Sequence, residues 1–303
     1  SFSSASYTLL TNKSQTITAT NSVSTGGGAI TYSISAGSGS ATVDVNSGQL
    51  LAIGTGTVTL TAFVAANSNY NANSTSVLIT INSSTPTLSL SPTLAANALK
   101  VDQGTTITAS SSPTTGITQQ TMLYSVSSTG SGSATVNANT GQLTGTGAGA
   151  ITFTATAGAN TNYNQAVTST LIVIGKSTPT LSLSVTTAMS VGLTQTAITS
   201  TTALVSSGGV VSYAITGTGS ATINPAKGLI TALGSGTITL TATSAGDTNY
   251  NPAVTSRLIT ISKGIPTLSL TSTSMNLAVN TSATVTAVSL PPGAGTISST
   301  GGI

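Results

Sequence analysis

The sequence contains no glutamate, no histidine, no cysteine and no tryptophan. Each absence removes a chemistry. Without His and Cys there are no ligands for zinc and no thiol nucleophile, and a Ser–His–Asp triad has no base. Without Cys the fold cannot be stapled by disulfides, so apolar burial must hold each domain together. The only carboxylates are Asp44, Asp102 and Asp247. They stand in unrelated sequence contexts, whereas general acid–base catalysis by a carboxylate pair needs both acids in one cleft.

Charge of either sign is scarce. Charged residues make up 3% of the chain, against about 25% in an average soluble domain. Solubility therefore rests on Ser, Thr, Asn and Gln. The six cations are Lys13, Lys100, Lys176, Lys227, Lys263 and Arg257. Scattered as they are, they form no basic stripe, so no nucleic-acid partner is expected. The longest aliphatic run, residues 171–174, is far short of the roughly 20 residues a membrane helix needs. No basic n-region followed by an apolar stretch opens these residues. Abundant Val, Ile and Leu with little charge does not fit the disordered class either.

What the chain has instead is repetition. "GSAT" begins at Gly39, Gly132 and Gly219, 93 and 87 residues apart. Tyr70, Tyr163 and Tyr250, each inside "NYN", repeat the same two spacings, and so do Pro86, Pro179 and Pro266, each opening "PTLSL". Three markers in one register define a tandem array. The expected modules are 1–82, 83–175 and 176–262, with 263–303 as the N-terminal part of a fourth.

Inside a module the pattern is β throughout. "PTLSLS" alternates Leu with Ser, as a half-buried strand does. Then come "TITA" and its relatives (Ile17, Ile107, Ile198, Val285). In "TYSIS", "LYSVS" and "SYAIT", Tyr32/Ile34, Tyr124/Val126 and Tyr213/Ile215 share a face. A glycine turn, a short "GQL" or "GLI" segment and a Gly-x-Gly turn precede "GTVTLTA", "GAITFTA" or "GTITLTA". The "NYN" turn leads to a last strand, "VLITI", "TLIVI" or "RLITI". No window carries the 3.6-residue period of an amphipathic helix. About seven short strands in about ninety residues describe an immunoglobulin-like sandwich, with β-branched Thr suited to the outward positions. The expected fold is all-β: tandem immunoglobulin-like β-sandwich modules of about seven antiparallel strands each, arranged as an elongated rod.

The stretches "GSATVDVNSGQLLAIGTGTVTLTA", "GSATVNANTGQLTGTGAGAITFTA" and "GSATINPAKGLITALGSGTITLTA" resemble the bacterial immunoglobulin-like tandem repeats of large surface adhesins. That resemblance covers almost the whole chain. It implies an extracellular, cell-surface or secreted stalk segment serving cell adhesion, and it brings no catalytic or cofactor residues with it. A receptor, in the matrix or a glycan, would be contacted mainly outside this segment. Neighbouring modules of the same chain would be its nearest partners. Two other readings stay open: a filament or surface-layer subunit assembled by strand donation, and carbohydrate-binding accessory modules of a secreted enzyme.

The tyrosines of the NYN turns are the obvious candidates for a site. The flanking Asn and Asp residues hydrogen-bond locally and tolerate left-handed backbone. The expected role of Tyr70, Tyr163 and Tyr250 is structural: the turn folds each ring over one end of its sandwich, with the hydroxyl reaching water or a backbone carbonyl. A ligand-facing role would vary between modules, and these positions do not.

No metal residue is expected. Calcium takes six to eight oxygen ligands, and one Asp per module supplies too few. The Gly-x-Gly pairs (Gly54/Gly56, Gly147/Gly149, Gly234/Gly236) precede strands, not the helix a phosphate loop requires. A Lys–Asn isopeptide link would need a buried Lys, and Lys176 and Lys263 sit beside the prolines that join modules. Asn12, Asn73, Asn82 and Asn280 head N-x-S/T sequons. About four residues, "NSST" or "GKST", separate one module from the next before a proline that stiffens the joint. With strands of up to ten residues a module is roughly 35 Å long, and three and a half give a rod on the order of 120 Å. Module 1 has no plain "PTLSLS", for which "YTLL" at 7–10 is the expected substitute. The fourth module stops before its "GSAT", which points to a longer natural chain.

Overall fold

A computed structural model of the chain describes residues 1–23, 26–112, 120–201, 210–270 and 274–290. Among them all the helical and strand structure is β. The chain divides into two compact units, Ser1–Gly175 and Lys176–Ile303.

In the first unit, seven strands fall within the first sequence repeat: β1 (Ser6–Leu10), β2 (Ser14–Thr16), β3 (Ile30–Ala36), β4 (Ser40–Val43), β5 (Gln49–Gly54), β6 (Gly56–Val64) and β7 (Asn73–Asn82). They form two sheets, ordered β1-β7-β6-β3 and β2-β5-β4. Strand β6 shows why: Val58, Leu60 and Ala62 are buried while the threonines between them face outward. That two-residue period puts one face on the core. Leu50 and Ala52 of β5 meet it from the other sheet, with Ile79 and Ile81 of β7 beside them. One strand departs from the antiparallel expectation: β1 runs parallel to β7, with Leu9 opposite Ile81. Just before β1, Phe2 makes an isolated antiparallel bridge with Ala19, beyond the end of β2.

The second repeat of this unit comprises β8 (Thr87–Ser91), β9 (Gly104–Thr106), β10 (Thr108–Ser112), β11 (Met122–Ser128), β12 (Ser133–Val136), β13 (Gln142–Gly147), β14 (Gly149–Ala157) and β15 (Ala166–Ile174). Its sheets are β11-β14-β15, β12-β13-β9 and the pair β10-β8. Phe153 is fully buried, its ring 5.7 Å from that of Tyr124.

In the second unit the order repeats with β16 (Leu181–Ser184), β17 (Ala188–Ser190), β18 (Thr194–Thr196), β19 (Ile198–Thr201), β20 (Val211–Gly217), β21 (Ser220–Ile223), β22 (Leu229–Gly234), β23 (Gly236–Ser244) and β24 (Ala253–Ser262). The sheets are β17-β24-β23-β20, β18-β22-β21 and β16-β19. Again one strand, β17, is parallel to its neighbour, β24. A final hairpin pairs β25 (Thr267–Leu270) with β26 (Ala287–Leu290). The rest of the expected fourth module, residues 291–303, lies outside the described residues.

Two sequence expectations need correction. The "TITA" stretch is not one strand: it breaks where Ile107 and Ala197 turn inward and give their N–H to Gly141 and Gly228 (3.0 Å each). The residues before the break pair within one sheet and those after it with β8 or β16. The residue equivalent to Ile17 and Ile107 is therefore Ala197, 4% exposed, while Ile198 stands 66% exposed. Likewise "YTLL" is β1, which corresponds to β17, and the place of the second Leu in "PTLSL" is held by Phe2.

The glycines accepting those N–H groups have left-handed backbone (φ +71° at Gly48 and Gly141, +65° at Gly228). A Cβ on Gly141 would lie 2.1 Å from the Ile107 carbonyl oxygen. Each also packs against the ring of Tyr32, Tyr124 or Tyr213. These three tyrosines are buried and use their hydroxyls: Tyr32 accepts from Ala19 N–H (3.0 Å), Tyr124 from Ala109 N–H (2.9 Å), and Tyr213 meets the Thr199 hydroxyl (3.0 Å).

Candidate functional site

The three NYN turns share one construction. A side-chain oxygen three residues before the tyrosine accepts two successive backbone N–H groups. Asn67 takes those of Asn69 and Tyr70, both at 2.9 Å. Asn160 takes those of Asn162 and Tyr163, and Asp247 those of Asn249 and Tyr250. Such Asx turns need only a short side chain with an acceptor, so Asp247 stands where the other repeats have Asn. Each turn is then closed by a bond from that residue's own N–H to the tyrosine carbonyl.

The two outer asparagines hold the segment that enters the module. In the first unit Ser84 N–H donates to the Asn162 carbonyl (3.2 Å) and Asn164 N–H donates to the Ser84 carbonyl (2.8 Å). The Asn164 side chain accepts from the Ser83 hydroxyl (2.8 Å) and donates to that of Thr85 (3.2 Å). In the second unit Ser177 N–H donates to the Asn249 carbonyl (3.0 Å), Asn251 N–H to the Ser177 carbonyl (2.8 Å), and the Asn251 amide to Thr178 (2.9 Å). Lys176 adds its ammonium to the Asp247 carbonyl (2.6 Å). This is a miniature parallel ladder, Ser84 beside Tyr163 and Ser177 beside Tyr250.

Within the first unit the turn also grips the preceding repeat. Asn162 accepts from the backbone N–H of Thr55 at its side-chain oxygen (3.0 Å) and from the Thr11 hydroxyl at its carbonyl (2.7 Å). Thr55 donates its hydroxyl to the Thr161 carbonyl (3.0 Å). Thr11 has no exposed surface and its hydroxyl also meets that of Ser84 (3.0 Å). Burial pushes the Tyr163 phenol above its ordinary value, and a hydrogen bond with Thr11 opposes the shift. The phenol thus faces a hydroxyl of the preceding repeat, where the sequence suggested water or a backbone carbonyl. Thr11 and Thr55 carried no warning in the sequence beyond being threonines at turn tips.

The tyrosines themselves divide. Tyr163 and Tyr250 are 2% and 3% exposed, whereas Tyr70 is 46% exposed. No segment lies opposite Asn69 and Asn71 among the described residues.

The remaining candidates are dispersed. Asp44 caps the β4–β5 turn, accepting from Ser47 N–H (2.8 Å) and Asn46 N–H (3.1 Å), as Asn137 and Asn224 do in the other repeats. Those bonds, Ser47 foremost, hold its carboxyl below the ordinary carboxylate value. Asp102 has left-handed backbone (φ +65°), a position taken by Asn12 (φ +62°) and Gly192 (φ +92°) elsewhere; short polar residues or glycine tolerate it. No three Asp residues or other metal ligands cluster among the described residues. The Gly-x-Gly pairs lead into β6, β14 and β23, which are strands. Lys176 and Lys263 are exposed, as are Asn73, Asn82 and Asn280, with Asn12 half-buried.

No family model and no curated protein matches the chain. Solved structures do. Drosophila N-cadherin EC1-4 is similar over 87% of this chain and 75% of its own, at 14% identity and a TM-score of 0.28. An ICAM-5 D1-D4 ectodomain fragment matches over 90% and 79%, at 12% identity and 0.33. The S-layer protein rSbsC matches over 89% of this chain at 11% identity and 0.29, and the chain spans 41% of its length. At such TM-scores these similarities decide nothing by themselves, and the fold rests on the strand pairing described above. Among the described residues no helix is long and apolar enough to cross a membrane.

Proposed function

We propose that this chain is a structural segment of an extracellular repeat protein of the bacterial immunoglobulin-like kind. Its modules, 1–82, 83–175, 176–262 and the partial 263–303, space an adhesive part from a surface. The observation that carries the reading is the repeated joint. The Tyr163 and Tyr250 turns bond their polar groups to the chain's own entering segment, and the Tyr163 turn also to Thr11 and Thr55 of the preceding repeat. Groups satisfied internally are not offered to a ligand. The sparse, separated carboxylates support a non-enzymatic role.

The test is to place the chain between a surface anchor and a reporter binder, with and without residues 83–175. The expected result is shorter reach on deletion with unchanged reporter affinity. Saturable binding of the purified chain to a glycan array would instead favour carbohydrate-binding accessory modules. Ordered fibres or lattices under negative stain would favour a filament or surface-layer subunit.

A further inference from the structure

In the second and third repeats the chain is fastened before its first strand begins. Ser84 bridges Tyr163 in parallel sense, and Ser177 bridges Tyr250 likewise. Pro86 and Pro179 then stand between each bridge and the strand that follows it, β8 or β16. Parallel sense decides how a pull along the chain is shared. The entering segment is drawn back toward its own N-terminus, and the strand that leaves the repeat is drawn forward. Two segments running the same way are then pulled past one another along their common axis, and the bonds lying across that axis are strained together. An antiparallel pair joined to the two ends in the same way would open one bond at a time.

The body that holds each turn is firm. After the Tyr163 turn, β15 pairs with β14 over its whole length, Ala166 to Ile174. After the Tyr250 turn, β24 pairs with β23 from Ala253 to Ile261. Four bonds tie Ser83–Thr85 to the first of these turns: two from the Ser84 backbone and two from the Asn164 side chain, to Ser83 and Thr85. Four also tie Lys176–Thr178 to the second: two from the Ser177 backbone, one from the Asn251 amide to Thr178 and one from the Lys176 ammonium to the Asp247 carbonyl.

We infer that the Tyr163 and Tyr250 turns are mechanical latches. Each takes the pull on the entering chain and must give way before β8 or β16 can be drawn out of its repeat. The residues of the motif then have separate duties: the two outer asparagines hold the chain, and the buried tyrosine anchors the turn to the body. A spacer that lengthened under a weak pull would not keep its distance, so the latch rests on the spacing role proposed above for its use, though not for its geometry.

The test holds single full chains at constant force and records the rate at which each repeat ruptures, a quantity set by the unfolding rate. Asn164→Ala removes both side-chain bonds at an exposed position and leaves the backbone ladder in place. One rupture event should become about tenfold faster at the same force. Adding Asn251→Ala, which takes one bond from the other latch, should quicken a second event about fivefold. Tyr124→Phe is the control. It weakens the second repeat through the bond to Ala109, which opening of the latch leaves intact, so its rupture rate should change by less than about threefold. Melting curves verify that each variant is folded. Rupture of Asn164→Ala at the rate of the unchanged chain, or no faster than Tyr124→Phe, overturns the inference. Such a result leaves the spacing role standing, because the anchor–reporter assay reads reach without rupture.

Discussion

Replacing Tyr163 by alanine and making the same change at Tyr70 separates the tyrosine's structural role from its sequence context. The two turns are built alike, but Tyr163 is 2% exposed and Tyr70 is 46% exposed. An aromatic side chain buries about 150–250 Å². At about 25 cal/mol per Å² plus a cavity term, truncating a fully buried ring costs about 3–5 kcal/mol. Tyr163→Ala should therefore destabilise the second repeat by about 3–4 kcal/mol. With nearly half its surface already wet, Tyr70→Ala should cost about 1–2 kcal/mol in the first. For a domain of this size 1 kcal/mol moves Tm by roughly 4–8 °C, so the first change shifts its transition by on the order of 15 °C. Calorimetry of the whole chain measures this, with hydrogen exchange of the β14 amides assigning the transition to the second repeat. Equal losses at the two positions, or a loss under about 1 kcal/mol at Tyr163, would refute the reasoning.

Other substitutions read the rest of the framework. Gly141→Ala forces a Cβ to 2.1 Å from the Ile107 oxygen at a positive φ and should cost more than about 3 kcal/mol by denaturant unfolding. Gly192→Ala, with φ +92° but nothing within 4 Å of its Cβ, should cost only about 1–2 kcal/mol. Tyr124→Phe leaves the Ala109 N–H without its acceptor and should lower stability by about 1–3 kcal/mol. The lowered Asp44 carboxyl makes the first repeat acid-sensitive: its contribution is present above the ordinary value of 3.8 and is lost as pH falls through the lowered one. Asp44→Asn, which keeps the turn as Asn137 and Asn224 do, should flatten that acid limb of the stability–pH profile.

The class of fold and the places of the long strands were legible because period-two burial is written directly in Thr-Val-Thr-Leu-Thr. The repeat spacing set out the copies. Illegible was anything that depended on partners distant in sequence. Nothing local distinguishes β1 from an antiparallel strand, since its direction relative to β7 follows from the crossing between sheets. Ile198 falls in the same pattern as Ile17 and Ile107, and the one-residue offset shows only in the bond from Ala197 N–H to the Gly228 carbonyl. The NYN stretch reads locally as a turn, yet the use of Thr11 and Thr55 by the Tyr163 turn rests on separations of 151 and 107 residues. Tyr70, Tyr163 and Tyr250 are one motif in sequence and two environments in structure.

Pulling single molecules of the full chain from end to end puts the claim of autonomous repeats to its hardest trial. Each complete repeat should rupture in a separate event. Each event should release roughly 280 Å of contour, the extended length of some ninety residues less the folded span. Three equal steps are the outcome foreseen here; a single cooperative rupture, or steps unrelated to that length, would contradict it.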